Sequence, residues 1–367
     1  MTATDLRPPA ERAAAEPDRP ARGRAAARAA VTGVRRRRAR RTLLVCLVLV
    51  VLIVVVLVAS MITGDVPLTV GQVWYALTGR GTAGTNFIVY QLRLPRIETG
   101  LLTGACFGVA GAIFQSLVRN PLASPDIIGV SYGASAGGVV AILVLGWSGF
   151  ALSGAALVGG LAVAAAIYLL AWRDGISGYR FVLIGIGLSA VLASVINYAI
   201  TRAQVFEAQS ALVWLTGSLN GASVDQFATL LPPAAVLLVA ALVARRWLSG
   251  LQLGDELAVA TGVPVERARL VLILIGVALA AVATAAVGPI GFVAFVAGPI
   301  ARRLTRGTGD ALVAPALVGA LVVTAADYAG QHLLPVTLPV GVITPLIGAP
   351  YLLWLLITSG KTRFGGS

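Results

Sequence analysis

Residues 42–62 run for 21 positions without one charged side chain, and nine comparable apolar runs follow before residue 358. A helix that crosses the roughly 30 Å hydrocarbon core of a bilayer needs about 20 such residues. The candidate spans are 42–62, 97–118, 127–146, 150–172, 180–201, 226–248, 268–287, 290–304, 311–333 and 340–358, the eighth being short and interrupted by proline and glycine. The runs are continuous, unlike the alternating strands of about 10 residues that build a membrane barrel. Only 12% of the 367 residues are charged and mean hydropathy is +0.90, too little polar surface to cover a water-soluble globule. The expected fold is an all-α integral membrane protein of about ten transmembrane helices.

Charge orients it. Twelve of the 28 basic residues precede the first span, including the run Arg35 to Arg41, so the positive-inside rule sets that end in the cytoplasm. Ten alternating spans return the C-terminus to the same side, and only Arg80, Arg93, Arg96 and Arg202 then fall outside. Residues 1–41 are expected to be a disordered basic cytoplasmic tail, 42–358 the transmembrane domain and 359–367 a short cytoplasmic tail. The basic tail reads as a topology signal, so no nucleic-acid partner is expected. The first run is too long for a signal-peptide core of roughly 7–15 residues and reads as an anchor in the lipid bilayer.

Little here supports catalysis. A single histidine, His332, the two cysteines Cys46 and Cys106 inside spans, and no paired carboxylates within a span leave no material for a metal centre or a hydrolase. No cofactor, metal or catalytic residue is expected. Gly360-Lys361-Thr362 matches the end of a phosphate-binding loop, but Leu355 stands where its first glycine belongs and no strand precedes it. The chain is not expected to hydrolyse ATP itself.

Two glycine ladders, Gly100, Gly104, Gly108 and Gly129, Gly133, Gly137, repeat every four residues and so put small residues on one helix face, where backbones approach closely. Between them lies "RNPLASPD". Arg119, Asn120, Pro121, Pro125 and Asp126 read as a cytoplasmic connector that ends one helix and starts the next, with Asn120, Ser124 and Asp126 as candidate caps. A second polar island, 251–270, reads as a short amphipathic helix, a turn and a second helix. Asp255 and Glu256 occupy its first turn, Leu253, Leu257 and Ala260 form its apolar side, and Gly262 stops it. A helix lying on lipid usually carries Lys or Arg on its polar face. Acids here favour a protein partner.

The segments "RLPRIETGLLTGACFGVAGAIFQSLVRNPLASPDIIGVSYGAS", "WLTGSLNG", "LGDELAVATGVPVERARL", "GPIGFVAFVAGPIARRL" and "LPVGVITPLIGAPYLLWLL", in order from Arg93 to Ile357, resemble the signatures of the FecCD family of importer permeases for iron-siderophores, haem and cobalamin. The resemblance implies an ABC type II importer-like permease of ten helices. It also implies a second permease subunit, identical or not, two cytoplasmic ATP-binding subunits and an extracytoplasmic siderophore-binding protein. On that resemblance, Arg93 and Arg96 match the arginines that dock the binding protein, and Gly254, Asp255, Glu256, Leu257, Gly262 and Val263 match the segment that couples to the ATPase. The chain departs from the family pattern at Gly298-Pro299, at Gln331, where a third docking arginine is often found, and at Thr337. The pattern sits nearer the iron-siderophore branch, with haem or cobalamin import as the alternative within the family.

Asp327 is the one carboxylate well inside a span. Intramembrane acids often serve as proton relays, which makes an ion-coupled secondary transporter the competing reading. No second acid or permanent cation lies near Asp327 in sequence, so a structural, hydrogen-bonded role is expected. Gln115, Ser131 and Asn197 are candidate pathway residues.

Overall fold

The computed structural model describes residues 19–126, 128–171, 178–306 and 312–360. The first 18 residues of the basic tail, Arg173, and the Lys361 and Thr362 of the loop-like match lie outside the described residues. Every regular element among the described residues is helical: α1 (Arg19–Ile62), α2 (Val70–Leu77), α3 (Ala83–Phe87), a π-helical turn (Ile88–Arg93), α4 (Leu94–Val118), α5 (Val130–Leu143), α6 (Gly149–Ala171), α7 (Gly178–Arg202), α8 (Val205–Leu215), α9 (Val224–Leu251), α10 (Asp255–Ala260), α11 (Val265–Val287), α12 (Val293–Thr305), α13 (Val313–His332) and α14 (Val340–Gly360).

Each apolar run lies largely on one of these helices, and among the described residues seven segments are long and apolar enough to cross a membrane. They are Thr32–Ile62 in α1, Ala83–Val118 ending in α4, α6, Val182–Arg202 in α7, α9, α11 and α13. The expected span at 127–146 is α5, only 14 residues long, and the one at 290–304 is as short as its sequence suggested. The latter is α12, 13 residues long, which at 1.5 Å per residue reaches about 20 Å and falls short of the hydrocarbon thickness. Its inner residues Val293 to Pro299 are all buried against protein instead of lipid.

The basic stretch expected to be disordered is helical from Arg19, continuous with the first span. Alanine and arginine are both strong helix formers, and the apolar helix that follows supplies the nucleus they extend. A short helix that the hydrophobic pattern passed over, α8, sits between α7 and α9. At 11 residues it is too brief for the 20-residue criterion. At the edge of the bundle α2 is started by a capping box, in which the Thr69 hydroxyl accepts from the Gln72 N–H and the Gln72 side chain accepts from the Thr69 N–H.

Two helices occupy the centre. α4 packs on α13, α11, α12 and α9, and α11 on α9, α4 and α6, with Phe107, Ile113, Phe114, Leu272 and Leu279 fully buried between them. Lipid is as apolar as a leucine side chain, so close packing carries much of the association. The ladder glycines supply it. A methyl group on Gly104 would run into the backbone of Gly319, and one on Gly108 into Pro315. Gly133 and Gly137 press on Gly159 and Ala155 of α6 in the same way. Gly100 faces Leu219 and Thr324, while Gly129 precedes α5 and lies against Ser189. By contrast α1 presents Leu43, Leu44, Leu47 and Val48 outward, as a lipid-facing helix does.

Candidate functional site

Two polar sites stand at the opposite ends of α4. The first begins in the π-helical turn that feeds into α4, where Pro95, lacking an N–H, is accommodated in the first turn. Arg93 and Arg96, three residues apart, project from neighbouring positions. Arg96 grips Asp327 of α13 with two bonds: Nε donates to Oδ2 at 2.7 Å and Nη2 to Oδ1 at 2.6 Å. Both side chains are largely shielded, 22% and 13% exposed. Arg93 donates to the backbone carbonyls of Met61 and of Val66, the latter at 2.6 Å, and so ties the end of α1 to α4. The two arginines open onto a cavity of about 340 Å³ that also meets Gln331, His332 and Thr337.

The docking expectation therefore changes for Arg96. Its charge is already matched by a bidentate carboxylate, whereas Arg93 is held by backbone carbonyls, with Asp65 on the wall of the same cavity. The cation for Asp327 lies 231 positions away in sequence, out of reach of any local pattern. One signal did exist: an intramembrane acid demands a partner, and the charge alternation had already put Arg93 and Arg96 on the same side as its helix end. Paired in this way, Asp327 offers no free carboxylate for a proton relay.

The second site joins the connector to the 251–270 segment. α4 ends on Arg119 in the left-handed conformation (φ 54°). From there Arg119 Nη2 donates to the Leu251 carbonyl at 3.0 Å and to Asp255 Oδ1 at 2.8 Å. Arg269 of α11 takes the other oxygen of Asp255 at 3.1 Å and also pairs with Glu266. Gln252 donates to the Ser116 hydroxyl at 3.0 Å. Asp255 is thus enclosed by two arginines of its own chain, and Glu256 is the acid left facing outward.

Above this cluster α10 stands out from the bundle. Ala258 is fully buried, while Leu253, Leu257 and Val259 are exposed, Leu257 at 57%. Gly254 (φ +111°) and Gly262 (φ +82°) bracket the helix in conformations that side chains resist, and the Val263 N–H closes the turn on the Ala258 carbonyl. Leu257 and Val259 on this short, sharply bounded helix, with Leu253 in the turn before it, form an apolar protrusion suited to a groove.

The connector itself departs from the expected caps. α5 starts at Val130 behind Gly129 with no side-chain cap, so none of Asn120, Ser124 or Asp126 caps it. Asn120 Oδ1 instead accepts from the Leu122 N–H at 2.9 Å, and Asp126 accepts from the Ser131 hydroxyl. Burial pushes the Asp126 carboxyl up to about 6, with the Ser131 bond acting in the opposite direction. Pro121 and Pro125 keep the chain from continuing either helix. Two expected pathway residues are also otherwise engaged. Gln115 is buried, donating to the Phe295 carbonyl at 2.9 Å and accepting from Arg302 at 2.9 Å, and Ser131 is buried against Asp126. Asn197 is exposed.

A cavity of about 760 Å³ lies between the ends of α5, α6, α8, α9 and α11, and is lined by Trp147, Phe206, Glu207, Trp214 and Gln226 among others. Its size is in the range of small-molecule sites.

The profile of the FecCD transport family matches residues 27–358. The chain is 42% identical over 302 residues to the ferric enterobactin transport system permease protein FepG of Escherichia coli, covering 82% of this chain and 92% of that protein. It is 36% identical over 301 residues to the iron(3+)-hydroxamate import system permease protein FhuG of Bacillus subtilis, covering 79% and 89%. A solved structure described as an inward-facing conformation of a metal-chelate type ABC transporter superposes with a TM-score of 0.78 at 27% identity, covering 85% of this chain and 98% of that one.

Proposed function

This chain belongs to the FecCD transport family, and on that premise we propose that it is the permease subunit of an ATP-driven importer that carries iron-siderophore complexes across the cytoplasmic membrane. The cargo undergoes no chemistry. Two cytoplasmic ATP-binding subunits supply the energy, a second permease completes the pathway, and an extracytoplasmic binding protein delivers the complex. Binding and hydrolysis of ATP shift the paired permeases between outward-open and inward-open states.

The observation that carries this reading is the exposed apolar protrusion of α10, fixed through Asp255 to Arg119 and so to the end of α4. A groove in the ATP-binding subunit would take Leu257 as its central contact, and movement of α10 would reach α4 through Arg119. At the other end Arg93 and the cavity beside it form the face where an acidic lobe of the binding protein would dock. Arg96 acts there by holding α13 against α4 through Asp327, a positioning role. The 760 Å³ cavity is the candidate vestibule for the chelate.

Uptake of radioactive iron decides the matter. In a deletion strain complemented by this gene and supplied with a panel of siderophores, uptake should vanish when the ATP-binding subunit is removed and should survive an uncoupler. The opposite pattern would return the chain to the ion-coupled class, and uptake of haem or cobalamin instead of iron-siderophores would move it within the family.

A further inference from the structure

We propose that the cytoplasmic extension of α1, together with the inner end of α12, forms a binding site for the phosphate headgroups of anionic phospholipids in the inner leaflet. α1 runs unbroken from its basic segment into the apolar span, so the depth of each arginine follows from helix geometry. At 1.5 Å per residue Arg36 stands about 8 Å further out than Arg41, within the reach of a headgroup layer several ångströms thick. Long arginine side chains extend that reach toward the phosphates.

An independent marker fixes the same level. Arg41 donates to the Leu304 carbonyl through Nε at 3.1 Å and Nη2 at 3.0 Å, which seats α1 on the end of α12. One residue earlier, the Arg303 guanidinium lies 4.1 Å from the centre of the Trp354 ring, and Trp354 is half exposed. Tryptophan with arginine is the pairing expected at a membrane–water boundary.

Charge then names the occupant. Arg36 with Arg40 and Arg37 with Arg41 are like-charged pairs four residues apart, which destabilise a helix when nothing offsets them. Arg36, Arg37, Arg38 and Arg40 are exposed, and among the described residues none of them forms an ion pair. Arg37 lies one turn outward from Arg41 on the same stripe, so a phosphodiester seated beside Arg41 meets both. Basic clusters directly cytoplasmic of a span attract anionic lipid in this way.

The test titrates the purified permease with phosphatidylglycerol and with phosphatidylcholine of identical chains and counts retained lipids by native mass spectrometry. Phosphatidylglycerol should be held about tenfold or more tightly, a preference that shrinks as salt rises. Replacing Arg36, Arg37, Arg38 and Arg40 together by Gln should bring it near the level of phosphatidylcholine. The corresponding four Lys replacements should keep it, and Arg245→Gln with Arg246→Gln should leave it unchanged. Because neutralising these residues also weakens the topology signal, the wild-type comparison stands by itself: equal retention of the two lipids overturns the proposal. So does a Gln variant that keeps its lipid preference but loses the ATP-binding subunit, since the cluster would then serve an acidic protein face.

Discussion

Asp327 meets Arg96 through both of its oxygens, in a place where neither charge has much water. Removing one partner of such a pair strands the other, at a cost of about 3–5 kcal/mol. Asp327→Ala is therefore predicted to lower the thermal midpoint of the purified permease by many degrees and to reduce uptake, and the exchanged pair Arg96→Asp with Asp327→Arg to recover part of both. An Asp327→Ala protein as stable as wild type would show that α4 and α13 do not depend on this contact. Asp126 makes a prediction about pH. Its folded carboxyl titrates near 6, above the ordinary value of 3.8, so its contribution is fully present below about 3.8 and is lost as pH rises through 6. Asp126→Asn should then match wild-type stability near pH 4 and exceed it at pH 8. A gap that is constant across that range would mean that the carboxyl does not titrate as stated.

At the scale of an element, α10 invites the sharpest tests. Leu257→Asp puts a charge at the centre of the exposed apolar triad and should abolish co-purification with the ATP-binding subunit, together with uptake. Gly262→Val, forced into a conformation that a β-branched side chain resists, should do the same less completely. Retention of the ATP-binding subunit by Leu257→Asp at wild-type yield would remove α10 from the coupling path. The link behind it behaves differently. Arg119 and Asp255 are both about half exposed, so their ion pair adds only about 0–1 kcal/mol to stability. Arg119→Gln should fold and assemble normally yet transport severalfold less iron per ATP hydrolysed, a ratio measurable in proteoliposomes. The 251–270 segment was legible in the sequence because its boundaries are local chemistry: two acids in a first turn and glycines on either side. The tie from Asp255 to Arg119 was not, because the two residues stand 136 positions apart and only the packing of α4 beside α9 brings them together. Likewise α8 escaped a reading that scores apolar length, since an 11-residue helix carries no 20-residue signature.

For the whole molecule, chemistry in intact cells tests the inside and outside assignments. In a background lacking Cys46 and Cys106, single cysteines at the exposed positions Thr82 and Gln204 should react with an impermeant thiol reagent, and one at Leu253 should react only after permeabilisation. Leu253 serves better than its neighbour Ala258, which is fully buried. Labelling at Leu253 from outside would invert the topology. The glycine contacts between α4 and α13 bear on how such a molecule responds to its partners. With 25 residues α4 is about 37 Å long, it carries Arg96 in its first turn and Arg119 just past its last, and along its length it touches α13 backbone to backbone. A rod clamped in this way has few ways to bend, so a tilt imposed at one end is felt at the other. Thermodynamic reciprocity then follows: whatever factor a nucleotide on the inner face applies to the affinity of the outer face, an external protein applies equally to the affinity for nucleotide.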